Sequence, residues 1–147
     1  MALAYRCSSC NGINRVDPRR RSDRPVCGRC QAALDLSATP GDVTDEQLER
    51  LVRGAPVPVL VDFWAPWCGP CRVVAPAVAE LAARHAGRAI VVKVNTDEQS
   101  RTATALKVEG IPTFAVYAGG RLREQRSGAL PKSALEALLA PHLAPSS

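Results

Sequence analysis

Hydrophobic residues in the second half of the chain alternate between continuous runs and helical spacing. Runs of strand length occur at residues 57–63 (VPVLVDF), 89–95 (AIVVKVN) and 113–117 (TFAVY). Apolar residues recur at helical intervals over residues 43–54, 69–87, 98–108 and 131–143. Continuous apolar runs are typical of strands buried on both faces. Their alternation with helices predicts an α/β fold built on a central sheet.

The first predicted helix carries its own boundary signals. Thr44 and Gln47 have the spacing of a capping box, and Val43 can pack on Leu48 as a hydrophobic staple. Gly54 is expected to end the helix.

The helix over residues 69–87 is predicted to bury one apolar stripe and to kink at Pro76. The stripe consists of Val73, Val74, Ala77, Val78 and Leu81. Gly119 and Gly120 predict a hairpin turn into a last strand. We therefore expect the sheet to be parallel where a helix crosses over and antiparallel at the hairpin.

The front of the chain differs in composition from the rest. Residues 1–36 contain seven Arg and three acidic residues, whereas residues 37–147 contain twelve Lys and Arg and eleven acidic residues. A segment this short, with little hydrophobic periodicity, cannot form a stable core without a cross-link such as a bound metal ion or a disulfide. We divide the chain into a front module, residues 1–36, and a domain, residues 37–147, with a linker near residues 37–42 (SATPGD).

No membrane or secretory segment is expected. No apolar run approaches the roughly 18 residues of a membrane span. Few apolar residues precede Arg6 and Cys7, so a signal peptide is not predicted. We expect a soluble, cytoplasmic monomer. In a reducing compartment, repeated C-x-x-C pairs favour metal binding or catalysis over structural disulfides.

Four of the six cysteines lie in the front module. Cys7 and Cys10 are followed, after sixteen residues, by Cys27 and Cys30. This is the spacing of a four-cysteine zinc site, in which two knuckles close a tetrahedral shell around one structural Zn²⁺. Oxidation that ejects the zinc, making the module a redox sensor, is an open alternative.

Two other interpretations of the front module stay open. Its cysteines could form disulfides, which the compartment argument disfavours. The run Arg19–Arg21 could bind nucleic acid, but Tyr5 is the only aromatic residue of the module. Four thiolates and one Zn²⁺ would also reduce the charge of the module from +4 to +2. Nucleic acid is therefore not expected as a partner.

The remaining pair, Cys68 and Cys71, lies where a buried strand passes into a helix. The positive end of a helix dipole favours a thiolate at Cys68, and a second thiol one turn further can resolve a mixed disulfide. The alternative is a metal site, for which His85 and His142 are the available ligands, neither suitably spaced. We expect a redox centre.

The sequence VDFWAPWCGPC at residues 61–71, with GIPT at residues 110–113, resembles the thioredoxin family, and the resemblance extends over residues 43–143. It implies a thioredoxin fold, with a central mixed sheet flanked by helices. It also implies a protein-disulfide reductase in which Cys68 is the exposed nucleophile and Cys71 the buried resolving thiol. The implied partners are disulfide-containing proteins and an NADPH-dependent thioredoxin reductase.

The same resemblance assigns further residues. Asp62 matches the family's buried aspartate, which takes up the proton of the resolving thiol, and burial should raise its pKa. Its alternative role is to cap backbone groups at the strand end. Lys93 matches a lysine near that aspartate, although a strand lysine is often a solvated edge residue.

The resemblance also implies a shallow substrate groove and a cis peptide bond before Pro112. Gly69-Pro70 between the cysteines resembles the reducing members of the family. The groove residues are Trp67, Gly69, Pro70, Gly110, Ile111, Pro112 and Gly128. On their own, these residues are equally compatible with turns or core positions.

A zinc module ahead of such a domain resembles the bacterial thioredoxin-2 type. The shared details are INR at residues 13–15, after the first knuckle, and CGRC at residues 27–30 as the second knuckle. This resemblance implies one structural Zn²⁺ and no bound organic cofactor.

Overall fold

The computed structural model describes residues 3–144, and within them seven strands form two sheets. The strands are β1 Leu3–Arg6, β2 Ile13–Val16, β3 Gly41–Asp42, β4 Val59–Trp64, β5 Ile90–Asn95, β6 Thr113–Ala118 and β7 Arg121–Ser127. The α-helices are α1 Asp45–Gly54, α2 Gly69–Arg84, α3 Arg101–Ala105 and α4 Lys132–Leu139. Short 3₁₀ helices cover Pro18–Asp23 and Ala140–His142.

The larger sheet has the strand order β3-β5-β4-β6-β7. Strands β3, β4 and β5 are parallel, whereas β6 and β7 are antiparallel to their neighbours. The mixed sheet and the hairpin are confirmed. The expectation that each helical crossover gives parallel strands is wrong for α3. A helix of five residues is about 8 Å long and is too short to carry the chain back along the sheet. Strand β6 is therefore antiparallel in direction to β5.

Strand β4 is buried on both faces, as its apolar run predicts. Leu60 packs in a core cluster with Val74 and Val78 of α2. On the other face, Val61 and Phe63 pack in a second cluster with α1. Since side chains alternate along a strand, Asp62 lies on the same face as Leu60, the face covered by α2.

The start of α1 forms as predicted. The Gln47 backbone N–H donates to Thr44 Oγ1 at 3.1 Å, and the Thr44 N–H donates to Gln47 Oε1 at 3.0 Å. Val43 and Leu48 share one buried cluster.

The stripe predicted for α2 is too wide. Val74, Val78 and Leu81 are buried, but Val73 is 76% exposed. The buried residues recur at intervals of four and three, and Val73 lies about 100° around the helix from Val74, outside their stripe.

The front module packs against the domain. The Ala4 N–H donates to Gly87 O at 2.8 Å, and Asn11 Nδ2 donates to Gln47 O at 3.2 Å. Gly87 has φ +84°, and a Cβ built there would lie 2.6 Å from Leu3 Cβ. A residue without a side chain therefore permits the close approach of β1 to the domain.

Within residues 3–144, no helix is long and apolar enough to cross a membrane.

Candidate active site and metal centre

The central cysteine pair lies at the start of α2. Cys68 is the N-cap of the helix, and its Sγ accepts the Cys71 backbone N–H at 3.2 Å. The two cysteines form a disulfide with a Cα–Cα distance of 5.3 Å. After reduction, the same N–H and the positive end of the helix favour the thiolate of Cys68.

The accessibility of the pair differs from the expectation. Cys68 is 3% exposed and Cys71 is 4% exposed, so the expectation of an exposed Cys68 beside a buried Cys71 is wrong for this disulfide. Cys68 Sγ lies 3.7 Å from Ile111 O, and both cysteines pack with Ala65. The neighbouring loop thus covers the sulfur atoms.

Asp62 is almost completely buried, with 1% exposure. Burial is the main cause that raises its pKa to about 6. The positive charge of Lys93 lowers this pKa, and the negative charge of Asp42 raises it. Asp62 Oδ1 has no hydrogen-bond partner among residues 3–144, so this oxygen caps no backbone group. A carboxyl group in this state can exchange a proton near neutral pH.

Lys93 is paired with Asp62 across β4 and β5, and it is half-buried. Its Nζ lies 4.3 Å from the centroid of the Trp64 ring, which is within cation–π distance. This contact argues against a purely solvated lysine.

Sequence reasoning missed Asp42, whose Oδ1 accepts the Trp64 Nε1–H at 2.7 Å. The sequence pattern places Asp42 in the linker, because a strand of two residues shows no periodicity. Its position directly opposite Lys93 follows only from the pairing of β3 with β5.

The loop opposite the disulfide has the expected form. The Ile111-Pro112 peptide bond is cis. A Cβ built on Gly69, Gly110 or Gly128 would meet no atom within 4 Å. The surface at these three glycines is open enough for another polypeptide backbone to approach.

The exposed rim includes Pro70 and Trp67, and Trp67 is 68% exposed. Asp97, which sequence reasoning also missed, accepts the Trp67 Nε1–H at 3.1 Å. Asp97 therefore restrains the orientation of the exposed indole.

Residues 40–141 match the family model for thioredoxin. The chain belongs to the thioredoxin family. It is 48% identical over 101 residues to thioredoxin 1 of Nostoc sp., covering 69% of this chain and 94% of that protein. It is 41% identical to the chloroplastic M-type thioredoxin of Chlamydomonas reinhardtii, covering 82% and 87% of the two chains. A mutant thioredoxin from Halobacterium salinarum superposes with a TM-score of 0.68 at 31% identity, covering 77% and 98%.

Thioredoxins are thiol–disulfide oxidoreductases, and Cys68–Cys71 fits their redox-active C-x-x-C pair. The alternative of a metal site at this pair is not supported by the histidines. His85 Nε2 lies 2.9 Å from the Glu136 carboxylate, and His142 Nε2 lies 3.1 Å from Glu124. Both histidines therefore have glutamate partners.

The front module of this thioredoxin holds the other four cysteines close together. The Sγ atoms of Cys7, Cys10, Cys27 and Cys30 all lie within 4.8 Å of one another. Contacts of 3.6 Å link Cys7 to Cys30 and Cys10 to Cys27. Four sulfurs bound tetrahedrally to Zn²⁺ at about 2.3 Å would lie about 3.8 Å apart. The cluster thus fits a metal ion of this size.

The two knuckles have the same backbone conformation. The Asn11 N–H donates to Cys7 O, and the Gln31 N–H donates to Cys27 O, both at 2.9 Å. Asn11 and Gln31 have φ of +65° and +66°. Each knuckle also directs a backbone N–H to its first sulfur, from Ser9 at 3.4 Å and from Arg29 at 3.4 Å. Such N–H groups stabilise thiolates, the form that binds metal.

Proton affinity differs strongly between Cys27 and Cys30. Hydrogen bonds, first from Asn14 and then from backbone groups, lower the pKa of Cys27 to about 6. A backbone hydrogen bond from Ala32 favours the thiolate of Cys30, but burial and the neighbouring cysteines raise its pKa to about 11. Four thiolates at these distances repel one another, and a bound cation would offset that repulsion.

Proposed function

We propose that this thioredoxin reduces the disulfides of protein substrates, with Cys68 as nucleophile, Cys71 as resolving thiol and Asp62 as proton acceptor. The observation that carries the proposal is a cysteine pair at a helix N-terminus, preceded by a strand with a buried acid. Burial raises the pKa of that acid to about 6, which suits proton exchange near neutral pH.

The reaction transfers two electrons and two protons. The Cys68 thiolate attacks one sulfur of the substrate disulfide and forms a mixed disulfide with it; the substrate S–S bond breaks, and the first substrate thiolate leaves and takes up a proton from solvent. Cys71 then loses its proton to the Asp62 carboxylate and attacks Cys68 Sγ. The second substrate thiolate leaves, the Asp62 proton is returned to solvent or to that thiolate, and the Cys68–Cys71 disulfide remains.

Substrate binding is assigned to the open surface around the pair. The proposed groove consists of Trp67, Gly69, Pro70, Gly110, Ile111, Pro112 and Gly128. An extended substrate strand could approach the backbone at the glycines, which have no side chain in the way. Lys93 is proposed to moderate the proton affinity of Asp62 from the adjacent strand.

Two serine variants test the assignment. Cys68→Ser should abolish reduction of insulin disulfides, because the attacking sulfur is missing. Cys71→Ser should accumulate covalent substrate complexes, visible as mass adducts that dithiothreitol removes. Full turnover by Cys68→Ser would overturn the proposed mechanism.

We further propose that residues 1–36 form a zinc-binding module and residues 37–147 the thioredoxin domain. Cys7, Cys10, Cys27 and Cys30 would hold one structural Zn²⁺, which would fix the two knuckles and take no part in the sulfur exchange. The family match beginning at residue 40 and the separate β1–β2 sheet support this division.

Native mass spectrometry of the oxidised protein tests the division of labour among the cysteines. One zinc and one disulfide, mapped to Cys68 and Cys71, are expected. Three disulfides and no metal would overturn the zinc assignment but leave the reductase assignment standing. Peroxide titration tests the structural role, for which zinc is expected to be retained until the protein unfolds.

The physiological setting is proposed from the same resemblance. We place the protein in the cytoplasm as a monomer, reduced by an NADPH-dependent thioredoxin reductase. NADPH consumption in the presence of such a reductase and insulin should require Cys68. Light scattering should give a mass near 15.7 kDa; a stable dimer would contradict the monomer.

A further inference from the structure

Three charged residues form one row across the parallel part of the sheet. Asp42 of β3 is paired with Lys93 of β5, and Lys93 is paired in turn with Asp62 of β4. Directly paired residues of adjacent strands project from the same face, so the charges follow the order negative, positive, negative. The row runs from the exposed edge of the sheet to the buried acid of β4, the strand that precedes the redox centre.

Trp64 contacts two members of this row, Asp42 and Lys93. It lies two residues after Asp62, on the same face of β4. Its Nε1 donates to Asp42 Oδ1 at 2.7 Å, and the Lys93 Nζ lies 4.3 Å from the ring centroid. Trp64 also packs against the Cys68 and Cys71 cluster. Asp42 therefore holds an indole that contacts both the lysine and the cysteine pair.

We propose that Asp42 is a positioning residue for the redox centre, which orients Trp64 and Lys93 and assists Asp62 in taking up a proton. The proposal rests on the proposed role of Asp62 in the reductase mechanism. It assigns a function to a strand of only two residues that carries no side chain of the cysteine motif.

The electrostatic part of this role follows from the order of the charges. Burial is the main cause of the raised pKa of Asp62; Lys93 lowers that pKa and Asp42 raises it. Two strand spacings place Asp42 about 10 Å from Asp62. At this distance the repulsion between the two carboxylates is modest, but it is stronger than in bulk water because Asp62 is buried. Asp42 also attracts the Lys93 ammonium that would otherwise act on Asp62 alone.

Two further elements, β6 and α2, border the face of β4 that carries Asp62. Strand β6 places Phe114 opposite Asp62 and adds no charge there. Helix α2 contributes the thiols of Cys68 and Cys71 once the disulfide is reduced. The titration of the oxidised protein therefore isolates the effect of Asp42 and Lys93.

The front module contacts the strand that carries Asp42. The Arg6 guanidinium lies against Gly41, in the space that a Cβ at this position would enter. The strand thus pairs with β5 on one side and has the Arg6 side chain close to Gly41.

Titration of the Asp62 carboxyl carbon by ¹³C NMR in the oxidised protein tests the proposal. Asp42→Asn keeps an oxygen that can accept the Trp64 N–H but removes the charge. We expect it to lower the midpoint of Asp62 by about 0.3–1 pH unit. Asp42→Glu, which keeps the charge, should leave the midpoint near that of the unmodified protein.

Glu46→Gln is the matched control, since it removes the same charge from an exposed position in the first turn of α1. It should leave the Asp62 midpoint unchanged. An unchanged midpoint in Asp42→Asn, or an equal shift in Glu46→Gln, would overturn the proposal. Failure of the reductase mechanism would be seen separately, as undiminished insulin reduction by Asp62→Asn.

Discussion

Asp62 and Lys93 occupy directly paired positions on the adjacent parallel strands β4 and β5. Burial raises the pKa of Asp62 to about 6 although Lys93 acts in the opposite direction. Desolvation of the carboxylate therefore outweighs its attraction to the lysine at this site.

The first prediction concerns stability and pH. The folded protein holds the Asp62 proton more tightly than the unfolded chain, in which this aspartate has its ordinary pKa of 3.8. This contribution to stability is fully present below pH 4 and is lost as the pH rises to about 6. Asp62→Asn should therefore raise the free energy of unfolding by about 2–3 kcal/mol at pH 8 and change it little at pH 4.

Urea denaturation at the two pH values checks this prediction. Asp23→Asn, at an exposed position, is the control and should have a small effect that does not differ between them. Equal stabilisation by Asp62→Asn at pH 4 and pH 8 would contradict a buried, ionisable carboxyl group.

The second prediction concerns the lysine. Lys93→Met removes the charge that lowers the pKa of Asp62. The midpoint of the pH–rate profile for insulin reduction should therefore move to a pH about 0.5–1 unit higher. Lys107→Met, at an exposed position, should leave the profile unchanged. A downward shift in Lys93→Met would show that its effect on Asp62 has been assigned the wrong sign.

The third prediction concerns the docking of the front module. Gly87→Ala would place a methyl group 2.6 Å from Leu3 Cβ and 3.0 Å from Tyr5 Oη, at φ +84°. We expect a loss of about 2–4 kcal/mol in stability and faster amide exchange in β1.

Gly120→Ala separates backbone strain from the clash at Gly87. Gly120 has φ +77°, and a Cβ there would meet no atom within 4 Å. It should cost about 1–2 kcal/mol without affecting exchange in β1. Equal effects of the two variants would mean that the close approach of β1 contributes nothing.

The fourth prediction tests the substrate groove. Apart from its chain neighbours, no atom of residues 3–144 would lie within 4 Å of a Cβ at Gly110, so Gly110→Ala should fold with an unchanged melting temperature. It should raise KM for a protein substrate about 3- to 10-fold with little change in kcat, because substrate binding is hindered. Gly54→Ala, at the end of α1, is the control. An unchanged KM in Gly110→Ala would remove Gly110 from the groove.

Much of this fold could be predicted from local patterns. The capping box of Thr44 and Gln47 and the apolar run of β4 were read correctly, because both depend on neighbours in sequence. The spacing of the four front cysteines predicted that they lie together, and they do. The roles of the individual site residues are still predictions.

The errors involve contacts between distant segments. The two-residue strand that carries Asp42 is defined only by its pairing with β5. The low exposure of Cys68 depends on Ile111, more than forty residues away. The exposure of Val73 depends on which part of α2 faces the sheet. None of these contacts leaves a periodic signal in the sequence.

The local closure of the two knuckles has a consequence for biosynthesis. Each knuckle is completed by hydrogen bonds within a few residues, and the second ends at Ala32. At about 5–20 residues per second, several seconds of translation separate Cys30 from Cys68. Under the proposed zinc assignment, the four thiols would be bound to the metal ion before the reactive pair leaves the ribosome, which would reduce the number of wrong disulfides that six cysteines could form.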